Sequence, residues 1–112
     1  MIKPRDPREL VIDLLPRSTC AVKVAAVVCD AADNIISWGW NHAGTGLGKH
    51  AEIHAVERAN HNRLWYGTIY VAGKYSRGTL VNSKPCRGCQ FLIDKYNLEV
   101  YYRDKQGKWR VK

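Results

Sequence analysis

No stretch of these 112 residues approaches the roughly 20 consecutive apolar residues that a membrane-spanning helix needs. The opening Met1-Ile2-Lys3-Pro4-Arg5-Asp6-Pro7 lacks the uninterrupted apolar stretch of an export signal, so a cytoplasmic protein without membrane contact is expected. There is no internal repeat, low-complexity tract or linker. A single domain over residues 1–112 is expected, large enough to bury a core. Hydrophobic content of 46% with 25% charged residues excludes disorder. Acidic side chains are few: 10 Asp and Glu stand against 18 Lys and Arg, a net charge of +8. Such a surplus attracts phosphates. The basic residues form no dense run, though, and lie scattered from Lys3 to Lys112, as a merely solvated basic surface would also have them.

Cysteine is sparse and unevenly used. Two of the four form the pair Cys86-x-x-Cys89, and without an export signal a reducing compartment is the expectation rather than two disulfides. Cys20 and Cys29 bracket the apolar segment 21–28 and read as small buried hydrophobes.

The alternation of elements predicts an α/β fold. Asp6 caps a helix with Pro7 in its first turn, and Leu10, Val11, Leu14 and Leu15 make its apolar stripe before Pro16 ends it. The valine-rich run 21–29 reads as a strand covered on both faces, and 35–40 returns as the second arm of a hairpin. A loop over 41–48 carries Gly44, Gly46 and Gly48. A helix follows from His50 to Asn60, with Ile53, Val56 and Ala59 toward the core. Residues 68–72 read as a strand, 74–84 as a long polar loop, and 86–96 as a helix opened by Pro85. Strands over 98–103 and 109–111 close the chain. Only five residues separate this last pair, too few for a crossover, so these two strands are expected to be antiparallel. The expected architecture is a three-layer α-β-α sandwich around a mixed sheet of about five strands.

The chemistry lies in two short motifs, His50-Ala51-Glu52 and Pro85-Cys86-Arg87-Gly88-Cys89. Cys86 and Cys89 are three apart, on one face of a first helical turn, and His50 opens the other helix. Together they offer three strong ligands for zinc, with one coordination position left open. Helix N-termini favour thiolate over thiol. Glu52, two residues beyond His50, points elsewhere around its turn and suits a proton carrier beside the open position. Three other readings compete: a redox Cys-x-x-Cys pair, a closed structural zinc with His54 as fourth ligand, and a zinc-stabilised binding module without catalysis. The order His-Ala-Glu-Ile-His is not the H-E-x-x-H of zinc proteases.

With H-x-E and P-C-x-x-C both present, the sequence resembles the cytidine deaminase-like superfamily over most of its length. The resemblance implies hydrolytic deamination with Zn2+ held by His50, Cys86 and Cys89, and Glu52 as the catalytic proton shuttle. By position it also implies that Asn41 contacts the substrate sugar and that Ala51 offers its backbone N–H to the base. The families resembled are commonly homo-oligomers, and one is expected here. The antiparallel end of the sheet is more like free-nucleoside deaminases than the nucleotide and tRNA branches.

The expected substrate is cytosine in a free nucleoside or nucleotide, with Lys84, Lys49 and Arg87 as candidate phosphate contacts. The alternative is a deaminase acting on single-stranded DNA or tRNA, for which the net charge and Trp65, Tyr66 and Tyr75 would serve attraction and stacking. The chain has no added basic arm for a long nucleic-acid footprint.

Overall fold

The computed structural model describes residues 5–42 and 50–112; the expected glycine loop beyond His42, with Lys49, lies outside the described residues. The expected order of elements is observed: α1 (Pro7–Leu14), β1 (Val22–Cys29), β2 (Ile35–Trp40), α2 (Ala51–Arg58), β3 (Thr68–Tyr75), α3 (Arg87–Lys95), β4 (Glu99–Arg103) and β5 (Trp109–Val111). Two single 3-10 turns, Leu15–Arg17 and His61–Arg63, follow α1 and α2.

The sheet runs β2-β1-β3-β4-β5. β1 is antiparallel to both β2 and β3, β3 is parallel to β4, and β4 is antiparallel to β5. Helices cover both faces. Ala26, Val28, Ile69, Val71 and Val100 pack toward α2 and α3, whereas Ala25, Val27 and Ala72 pack under Val11, Leu14 and Leu15 of the α1 segment. Central β1 is therefore buried continuously from Ala25 to Cys29 and shows no alternation. Each aliphatic side chain buried in these two layers contributes about 1.5–3 kcal/mol relative to exposure.

Several local expectations shift. Pro85 stands just outside α3, and Cys86 is its N-cap with an extended backbone (ψ 171°), so the helix starts at Arg87. β3 runs on to Tyr75 because β1 continues to pair with it as far as Val22, so Lys74 and Tyr75 belong to the strand and not to the loop. In α2, Val56 is fully buried as expected and Ala59 just beyond it is buried too, but the other fully buried side chains are Ala51 and Ala55, while Ile53 is only half-buried. The reason is the tight approach of β2. A Cβ on Gly39 would lie 2.6 Å from Ala55 N and 2.9 Å from Ala51 O, so only small residues fit where the helix crosses that strand. Cys29 is fully buried as expected, and burial pushes its thiol up to about 12; Cys20 is only half-buried.

Candidate active site

His50 and Cys86 are both helix N-caps, at the starts of α2 and α3, and Cys89 sits in the first turn of α3. The backbones of the two caps, His50 and Cys86, are extended and not yet helical, so their side chains can turn toward the gap between the two helices. His50 Nδ1 lies 3.3 Å from Cys89 Sγ and 3.5 Å from Cys86 Sγ. All three ligand atoms fall within 4.8 Å of one another. Zn–S bonds of about 2.3 Å and Zn–N bonds of about 2.0 Å in a tetrahedron would set sulfur and nitrogen about 3.6 Å apart. The donor set and its spacing fit zinc.

Glu52 stands outside this trio, and so does His54. The His54 ring lies edge-on to Trp40, with its Nδ1 3.2 Å from both the backbone N and the backbone O of that residue. It serves the β2–α2 contact and does not close the metal cluster. Glu52 is only 6% exposed, and burial raises its carboxyl above the ordinary range, opposed by its own backbone N–H, by His50 and by the Cys89 thiol. Cys89 is 1% exposed, and burial raises its thiol strongly, with the Glu52 carboxylate adding to the effect. Sequence position predicts a thiolate favoured by the helix terminus. For Cys89, desolvation outweighs that terminus, so its proton is displaced when a metal binds.

A cavity of about 320 Å³ opens beside the cluster. His50, Ala51, Glu52 and Cys86 line one part of it; Asn41, Val22, Val24, Tyr75 and residues 81–84 line the rest. Glu52 is the only carboxylate among these described residues. Gly73 lets the 81–84 segment lie close over the sheet, since a Cβ there would meet Val81 Cγ2 at 2.7 Å and Ser83 Oγ at 3.3 Å. The long loop after β3 thus forms a cavity wall. A larger hollow of about 570 Å³ at the start of α1, lined by Arg5, Asp6, Arg8, Glu9, Asp33 and Tyr70, shares no lining residue with this cavity.

The sequence-predicted residues divide accordingly. His50, Ala51, Glu52, Cys86, Asn41 and Lys84 line the cavity, and Cys89 completes the trio beneath it. Arg87 faces away, lining a separate depression with Phe91 and Lys112. Trp65 and Tyr66 are exposed, at 47% and 70%, but precede β3 at the end of the sheet opposite the cavity. With about 3.3 Å per strand residue, the length of β3 puts them more than 20 Å from its far end. Of the three aromatic residues expected to stack on a strand, only Tyr75 reaches the site. Val22, Val24, Val81 and Ser83 carry no motif that marks them in the sequence; strand register and the close pass over Gly73 bring them there.

A His/Cys/Cys trio whose spacing fits zinc, with a carboxylate outside it, defines a candidate metal centre with a coordination position left open. The family model for the cytidine and deoxycytidylate deaminase zinc-binding region matches residues 9–102, and the chain belongs to that family. Similar solved structures include the cytidine deaminase from Burkholderia pseudomallei, at a TM-score of 0.74 and 22% identity, over 95% of this chain and 88% of that one. The cytidine deaminase from Mycobacterium leprae is similar at a TM-score of 0.66 and 15% identity, over 93% and 88% of the two chains. A glutamate-to-glutamine mutant of the cytidine deaminase from Mycobacterium tuberculosis is similar at 0.64 and 16%, over 93% and 86%. At these identities the likeness establishes the shared fold. No curated protein matches the sequence. No helix among the described residues is long and apolar enough to cross a membrane.

Proposed function

We propose that the protein deaminates cytosine in a free nucleoside or nucleotide, releasing ammonia and the uracil product. One observation carries this reading: Glu52 is buried in the cavity wall beside the His50, Cys86 and Cys89 trio but takes no place in it. A carboxylate with that placement suits proton transfer.

His50, Cys86 and Cys89 would hold the zinc. When bound, the ion lowers the pKa of water toward neutrality and so supplies a nucleophile. Glu52 carries the two protons of the attacking water in turn: its carboxylate takes the first and gives it to the ring nitrogen, then takes the second and gives it to the departing amine. Its dry surroundings bring its pKa closer to that of the groups it serves. Ala51, fully buried in the first turn of α2, has a backbone N–H outside the helical ladder that can orient the base. Asn41 offers the second hydrogen of its amide to the sugar. Lys84 supplies a cation at the rim.

The cavity volume of about 320 Å³ suits a single nucleoside or nucleotide better than a strand. The remoteness of Trp65 and Tyr66 weighs in the same direction. Residues 1–112 are read as one deaminase domain, cytoplasmic and homo-oligomeric, the last supported by apolar side chains left in solvent, Phe91 at 76% exposure foremost.

The test is ammonia release by zinc-loaded protein on cytidine, deoxycytidine, their monophosphates and a single-stranded oligonucleotide, with Glu52→Gln as control. Turnover on a monomer that Glu52→Gln abolishes is expected. A protein silent on all five substrates, or one whose activity survives Glu52→Gln, overturns the reading.

A further inference from the structure

α3 has two unlike faces. Cys89, Ile93 and, just past the end of the helix, Tyr96 are buried at spacings of four and three. Arg87, Phe91 and Asp94 follow the same spacings on the opposite side, and all three are exposed. Phe91 is 76% exposed, the most of any large hydrophobic side chain among the described residues. The outer face of a surface helix ordinarily carries polar side chains throughout, and this one has an aromatic ring at its middle.

The stripe is complementary to itself. Arg87 stands at one end and Asp94 at the other, about 10 Å apart along the axis, with Gln90 and Phe91 midway. Among the described residues neither Arg87 nor Asp94 makes an ion pair. Asp94 is nonetheless held in place: Gln90 Nε2 donates to its Oδ1 at 2.7 Å, and Lys112 Nζ donates in turn to Gln90 Oε1. These side chains and Pro85 surround a hollow of about 420 Å³ next to the Phe91 ring.

A second α3 laid antiparallel, about a two-fold axis between residues 90 and 91, sets Arg87 against the partner's Asp94 at both ends. The same axis brings the two Phe91 rings together and out of water. A parallel helix would set arginine on arginine. An acidic partner would satisfy Arg87 and Lys112 but repel Asp94, and a basic one would do the reverse. The pattern of charges therefore selects another copy of the same patch.

We propose that the outer face of α3 is an interface with a second copy of this chain, with Phe91 at the two-fold axis and Arg87 paired to the partner's Asp94. This rests on the reading of the protein as a homo-oligomer and names its contact face; it is independent of the substrate. The nine residues of α3 span only about 13 Å, so the contact is smaller than the roughly 800 Å² per partner of a standard interface. Dissociation in the micromolar range is expected.

The experiment is analytical ultracentrifugation of zinc-loaded protein across the micromolar range. Wild type is expected to pass from monomer to dimer. Phe91→Glu should stay monomeric, with zinc content and the unfolding midpoint of dilute protein unchanged, because the ring makes no core contact. Arg87→Glu and Asp94→Arg should each weaken the dimer about tenfold or more by setting like charges together. An equimolar mixture of these two variants should dimerise like wild type, because each altered end then meets its complement. That rescue is specific to the antiparallel two-fold.

A wild type monomeric at every concentration overturns both this interface and the homo-oligomeric reading. An oligomer indifferent to Phe91→Glu keeps that reading and overturns the interface. A dimer that Phe91→Glu breaks but the mixture fails to restore overturns the two-fold pairing. If wild type sediments as a larger assembly, its halving by Phe91→Glu together with the rescue sustains the proposal.

Discussion

Asn41 and Val24 are bonded to each other twice: Asn41 N donates to the Val24 carbonyl at 3.0 Å, and Val24 N donates to Asn41 Oδ1 at 2.8 Å. The same Oδ1 accepts from Ser18 Oγ at 2.6 Å, and Asn41 Nδ2 donates to Val22 O at 2.7 Å. Asn41 is therefore a latch that extends the β1–β2 pairing past Trp40 and holds the cavity wall at Val22 and Val24. Asn41→Ala leaves a strand N–H and a carbonyl unpartnered and should cost about 1–3 kcal/mol by denaturant titration. It should also raise KM. A variant of wild-type stability would show that the latch does not carry the strand end.

Glu52→Gln should lower ammonia release by about two to four orders of magnitude. Zinc content and unfolding midpoint should stay near wild type, because the residue is outside the ligand trio. Loss of zinc in this variant would make Glu52 a ligand.

Chelation, or Cys89→Ser, should lower the thermal midpoint as well as the activity. Cys89 joins α3 to the buried base of the site, and its raised thiol pKa makes metal uptake release a proton. Metal content by mass spectrometry and proton release in weakly buffered solution measure both effects. A Cys89→Ser protein still fully loaded would contradict the ligand set.

Gly39→Ala drives a methyl group into the backbone of α2. The variant should lose about 1–3 kcal/mol of stability. Because His50 and Glu52 open that same helix, activity should fall further than stability alone accounts for. Unchanged unfolding and kinetics would mean that α2 can move off the sheet freely.

Asp30 contributes to the acid limb of stability. The Asn34 backbone N–H, at 2.9 Å, and the Arg63 guanidinium, at 2.7 Å, lower its carboxyl to about 2. A carboxylate depressed in the folded state stabilises the fold above its unfolded pKa, near 3.9, and that contribution fades as pH falls toward 2. The difference in midpoint between wild type and Asp30→Asn should be constant above about pH 5 and shrink below it. A difference independent of pH down to 2 would remove the charged contacts as its cause.

Most of the element order was legible in the chain because the signals are local. Asp6 and Pro7 open α1 as capping and a fixed φ require, and the Asp6 side chain accepts from Arg8 N at 2.8 Å. The five-residue gap before Trp109 excluded a crossover, and β5 pairs antiparallel with β4. Less legible was where β3 ends. Nothing local prolongs it past Ala72; pairing with β1 out to Val22 does. The half-burial of Ile53 escaped the helical pattern for a similar reason, since Gly39, distant in sequence, brings the backbone of α2 against β2.

By itself the sequence determined which residues make the candidate site: His50, Glu52, Cys86 and Cys89 are carried by two short motifs whose spacing within a helical turn is a local property. Only the tertiary structure decided what surrounds that chemistry. His54 faces Trp40 rather than the trio because the register of β2 against α2 sets its partner. Tyr75 joins the cavity while Trp65 and Tyr66 do not, because a strand carries its two ends far apart. A net charge of +8 has no direction in a sequence. Strand pairing decides where single charges stand, setting Lys23 against Lys74 one residue in from the cavity-lining pair Val22 and Tyr75.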